Sequence, residues 1–125
     1  MDKKYVVTGL GYAILGLVLG IYMAASKNHG QIVTHAHIML LGFVVSFIYG
    51  TLHKVWLKDV QSKLVMPQFI LHQIGTLFLL LALFLMFGKF VSNATLEPVL
   101  SISSILVLAA MILMKIIFIQ HARSK

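Results

Sequence analysis

No cysteine occurs anywhere in the chain, so disulfides, thiolate metal sites and thiol nucleophiles are all excluded. Acidic residues are nearly as scarce, with Asp2, Asp59 and Glu97 the only three. No serine, cysteine or paired-carboxylate constellation for catalysis can be assembled from what remains. The glycines fall inside helical stretches, which leaves no phosphate-cradling loop. No linker or low-complexity segment interrupts the 125 residues, and one domain covering 1–125 is expected.

Apolar residues are what the chain has in excess, at 60% of the total. A soluble domain of this size has too much surface for its volume to hide them. They are instead grouped in four runs, at about 5–26, 34–56, 67–89 and 96–120, each near the length that crosses a bilayer core. The first run resembles a signal peptide only superficially. It is long, Gly16 and Gly20 interrupt it, and Ala24–Ser26 is the one weak cleavage candidate, so a retained helix is expected. Short connections between spans predict an all-α, four-transmembrane-helix antiparallel bundle, since only internally bonded backbone survives in lipid.

Net charge is +7, and its distribution carries more information than its size. With the N-terminus in the cytoplasm, Lys3, Lys4, Lys54, Lys58, Lys63, Lys115, Arg123 and Lys125 fall at the inner face, and only Lys27 and Lys89 fall outside. The positive-inside rule selects this orientation, with both termini cytoplasmic, and a nucleic-acid partner is not needed to explain the basic charge. Within this frame Thr34 reads as the N-cap of helix 2, and Pro67 as the opening of helix 3. Thr95 reads as the cap of helix 4, with Glu97 in its first turn. Gly16 and Gly20 form a small-xxx-small pair, expected to serve helix packing inside the protomer. Ser101 and Ser104 are expected to hydrogen-bond between helices, and the seven methionines to act as core filler.

Six histidines in so apolar a chain demand an account, because ionisable groups within a membrane are costly and by default functional. His29, His35 and His37 lie with Glu97 at the outer end, and His53, His72 and His121 with Gln68 at the inner end. A span of eighteen helical residues separates the groups by about 27 Å, so His37 and His72 cannot share one iron within a protomer. Stepping by three and four from His35 places Met39, Gly42, Ser46, Tyr49 and His53 on one polar face. His37 points about 200° away, toward Leu41, Val44 and Ile48. Two sites on opposite sides of the helix fit this pair better than one shared ion. His72, flanked by Gln68 and Thr76 at helical spacing, fits a ligand role or a packed polar seam.

Three functions follow. One is a b-type haem protein with histidine ligands, serving electron transfer or diatomic-gas binding. Another is an outer-face copper or zinc site built from His29, His35 and Glu97, with His37 a further candidate. The third is a partner subunit with no cofactor.

The stretch "HAHIMLLGFVVSFIYGTLHKVW" resembles the haem-ligating H-x-H helix of haem–copper oxidase subunit I, most closely in the cbb3-type enzymes. The shared pattern is His35, His37, Gly42 and Gly50. Over nearly its whole length the chain is similar to a group of small four-helix bacterial membrane proteins, through "GIYMAAS", "THAH" and "LEP". The resemblance implies haem b in the bacterial inner (plasma) membrane, with His35 serving one haem and His37 another. It implies Gly42 as part of the haem-proximal pattern, and a redox partner or quinol. Where the oxidase helix carries a histidine seven residues before a glycine, this chain has Gln68, and His72 comes one turn later. The copper histidines and the partner helices are missing, so oxygen reduction by this chain alone is not expected. A homo-oligomer holding haem between protomers is.

Overall fold

The computed structural model describes residues 1–123, which form four helices and no strand. They are α1 (Asp2–Ser26), α2 (Ile32–Val55), α3 (Val65–Phe87) and α4 (Asn93–Arg123). All four are long and apolar enough to cross a membrane, and the all-α bundle read from the sequence is the architecture found. The chain is a multi-pass membrane protein. One end of the bundle holds both ends of the chain and the α2–α3 connection (the near end). The opposite, far end holds the α1–α2 and α3–α4 connections. Lys125, counted among the inner-face cations, lies outside the described residues.

The packing follows from where the small residues fall. α1 pairs with α2 and α3 with α4 along their lengths, while α2 also touches α3. On α1, Gly9 faces Ser46, Gly16 faces Ile38 and Met39, and Gly20 faces His35. The small-xxx-small pair thus brings α1 and α2 together inside the protomer, as expected. At the near end the two pairs close on Tyr5, Tyr49, Leu57, Met114 and Ile117. Toward the far end an apolar groove of about 830 Å³ lies between α1 and α3, with Thr34 and Ile38 of α2 in its lining. Outward faces carry residues such as Val7, Ile21, Ile48 and Ile105, which suit lipid.

The regular winding expected of helix 2 is not what forms. Ile38–Val45 is a π-helix, with α-helix on either side. A π turn takes in about one residue more than an α turn. Accordingly Thr34, Ile38, Gly42 and Ser46 are buried at a strict spacing of four. His35 and Met39 are only partly buried, but together with Gly42, Ser46, Tyr49 and His53 they lie against α1, the one face read from the sequence.

Helix ends also depart from expectation. α2 begins at Ile32, two residues before Thr34. Thr34 is fully buried, and its hydroxyl donates to Gln31 Oε1 at 2.6 Å rather than capping. α4 begins at Asn93, so Glu97 falls beyond its first turn, and Ser92 Oγ accepts the Thr95 N–H at 3.4 Å. Pro67 sits inside the first turn of α3, where its missing N–H is harmless. On α4 the buried serine is Ser103; Ser101 and Ser104 are exposed, and Ser104 Oγ donates to its own helix at Leu100 O, 2.7 Å.

α1 ends on Lys27 in the left-handed region, at φ 57°. That conformation suits glycine, because a Cβ crowds the following carbonyl. Lys27→Gly is expected to raise stability by up to about 1 kcal/mol, read as a later midpoint in detergent unfolding.

Candidate functional site

The far end of α2 presents the first two candidates. His35 is partly buried against Gly16 and Gly20, and its Nδ1 lies 2.8 Å from Gly16 O. His37 is also partly buried, and its Nδ1 lies 2.9 Å from Val33 O, one turn back on its own helix. A carbonyl only accepts, so Nδ1 must carry the proton in both bonds. In the neutral imidazole this leaves the lone pair on Nε2, the nitrogen that reaches farthest from the backbone. Metal-ligating histidines are commonly fixed in this way, with the other ring N–H held by a carbonyl.

Neither imidazole lines the groove between α1 and α3. His35 occupies the α1–α2 contact, whereas His37 is partly buried beside the exposed side that Ala36, Leu40, Val44 and Ile48 form at a spacing of four. The donor chemistry therefore fits axial ligation, but His37 lines neither that groove nor the pockets at the near end.

The outer-face metal cluster does not form. Among the described residues no three histidine or acidic side chains come together in a group that could hold a metal ion. His29 is exposed in the α1–α2 connection, and Glu97 is exposed on α4. The physical reason is topological: His35 is drawn toward α1 by its bond to Gly16, away from the side where α4 packs on α3. His29, His35, His37 and Glu97 remain separate groups.

Gly42 serves packing. A Cβ there would meet Tyr12 Cγ at 2.6 Å and Tyr12 Cβ at 2.7 Å, so the Tyr12 side chain already occupies the space. That space is closed to a macrocycle.

His72 belongs to the other grouping, and of the two roles its spacing allowed the structure gives it the packed seam. Gln68, His72 and Thr76 are all fully buried along one face of α3. His72 Nε2 lies 3.0 Å from Ser46 Oγ. Its Nδ1 approaches the Leu41 carbonyl without completing a hydrogen bond. Ser46 stands nine residues beyond His37, roughly 13 Å along a helix axis, so the two imidazoles stay apart.

The seam continues toward the near end. Tyr5 Oη donates to Gln68 Oε1, and Gln68 Nε2 donates to Ala110 O at 3.1 Å. The Tyr5 ring packs edge-on against Tyr49 at 5.3 Å and stacks on His53 at 6.0 Å. Tyr49 Oη donates to Met111 Sδ at 3.3 Å, which gives one methionine a role beyond filling space. Tyr5 is the residue that sequence reasoning missed. A tyrosine at a helix start reads as an interfacial anchor, and its only available signal was Gln68 at matching depth. No family model, curated protein or solved structure matches this chain.

Proposed function

We propose that this chain is a haem-binding protein of the bacterial inner membrane, with its termini in the cytoplasm and His37 as an axial ligand. The observation that carries the reading is the pair of Nδ1–H bonds to Val33 O and Gly16 O, which leave each Nε2 as the free donor nitrogen. Lipid tails offer such a nitrogen no partner, so His37, only partly buried, favours occupation of its Nε2 by a metal centre or a second chain. The orientation rests on the eight-to-two distribution of basic residues.

Because His37 lines neither the groove nor the near-end pockets, a haem that it held would sit between its side of α2 and a second copy. Bound there, haem supplies a one-electron couple or, with one axial position open, a site for a diatomic gas. A quinol or protein redox partner would exchange the electron. His35, held in the α1–α2 contact, serves the other edge of the same helix.

The test is a visible absorption spectrum of the purified protein, as isolated and after dithionite. A Soret band with b-type α and β bands is expected, at one haem per two chains. His37→Ala is expected to lose most of that absorbance while helicity is unchanged, because the bond it removes is local to α2. A colourless wild-type protein would overturn the reading. Metal analysis of the same sample then separates a copper or zinc protein from a partner subunit without cofactor.

A further inference from the structure

A second site lies at the near end, beside the start of α3. A pocket of about 680 Å³ is lined there by His53, Lys54, Lys58, Ser62 and Lys63, with Asp2 as its one acidic group. The first residues of α3, Val65 and Met66, also line it. That helix has no side-chain N-cap, so the positive end of its dipole faces the pocket uncapped. Ser62 Oγ accepts the Leu64 N–H at 3.1 Å, which leaves the Ser62 hydroxyl proton free to donate.

Surface lysines and a helix start do not by themselves make a site. His53 supplies the independent observation. It is only 5% exposed, lines this pocket, and its buried Nε2 has no hydrogen-bond partner among the described residues. An orphaned imidazole nitrogen is costly in an apolar setting unless something bound there satisfies it. Around it stand three ammonium groups, one hydroxyl and a helix N-terminus, all complementary to a multivalent oxyanion. A carboxylate would use only part of this set, whereas a phosphate presents several acceptor oxygens at tetrahedral angles.

We infer that this pocket binds a phosphate group, with His53 at its buried wall and Lys54, Lys58 and Lys63 around its mouth. The two sources of that chemistry are the headgroup of an anionic phospholipid and free phosphate. The site is independent of the haem reading, since it lies on the opposite end of α2 from His37.

Thermal unfolding in lipid nanodiscs tests it, with inorganic phosphate added to phosphatidylcholine discs in one arm. The other arm compares phosphatidylcholine discs with discs that also contain phosphatidylglycerol. Lys58→Gln/Lys63→Gln removes two cations from exposed positions, and His53→Phe keeps the ring stacking on Tyr5 while deleting the nitrogens. Stabilisation by added phosphate, with its half-saturating concentration raised about tenfold or more in either variant, establishes a free-phosphate site. Stabilisation only by phosphatidylglycerol, lost in both variants, establishes a headgroup site. No stabilisation in either arm overturns the inference. So does equal stabilisation of wild type and of variants whose helicity in phosphatidylcholine discs matches it.

Discussion

Gly42→Val is expected to destabilise the bundle by about 3 kcal/mol or more, the largest stability effect of any single substitution considered. A Cβ at this position would sit 2.6 Å from Tyr12 Cγ and 2.7 Å from Tyr12 Cβ. The ring could swing away, but Tyr12 Cβ is fixed to the backbone of α1. Relief therefore requires the two helices to separate, and close-packed interiors transmit rather than absorb such strain. A β-branched residue adds two further methyl groups to the same space. Gly11→Ala makes the control, since nothing lies within 4 Å of its added carbon. It is expected to be neutral or to stabilise by up to about 1 kcal/mol through helix propensity. Tyr12→Ala in the Gly42→Val background removes the ring but keeps the offending Cβ, so rescue should be partial. Helicity followed against the mole fraction of dodecyl sulfate measures all four proteins. A Gly42→Val midpoint equal to wild type would show that α1 and α2 do not approach as described.

Gln68→Leu is expected to lose about 1–3 kcal/mol, and the loss should depend on what stands at position 5. The wild-type amide joins three helices, accepting from Tyr5 Oη on α1 and donating to Ala110 O on α4. Leucine fills similar volume, so the penalty is chiefly the fully buried Tyr5 hydroxyl left without an acceptor. Tyr5→Phe creates the mirror problem, an amide oxygen without its donor. Replacing both removes the mismatch, so the double variant should be no worse than either single one. Interhelical hydrogen bonds in membranes average well under 2 kcal/mol, and a coupling energy of about 1 kcal/mol in this cycle is the expected size. Additive losses would mean that the two side chains do not share a bond.

The sequence displayed the spans because bilayer thickness dictates run length, and run length survives every detail of packing. Histidine placement by end was equally readable, since depth follows from counting residues along a helix. What could not be read was the winding. The face running from His35 through Ser46 to His53 meets α1 as expected, yet Ile38–Val45 between them forms a π segment. Nothing in "IMLLGFVV" announces it; Gly42 permits the close approach of Tyr12 but does not require a wider turn. Thr34 looked like a cap because threonine caps helices often, yet it is Gln31 and the Phe84 carbonyl that organise that end. Glu97 was placed near the outer histidines by depth alone. Depth fixes one coordinate of three, and the pairing of α4 with α3 decided the other two.

The widened turns in α2 also give the helix an adjustable joint. A widened turn takes in about one residue more than an ordinary one, so removing one residue between Ile38 and Val45 would let that stretch relax to ordinary winding with the helix on either side kept close to its present register. The imidazoles above it, and Ser46, Tyr49 and His53 below, would keep the neighbours they have. A helix built this way can absorb the gain or loss of a single residue without disturbing the buried tyrosine and glutamine that hold the bundle together.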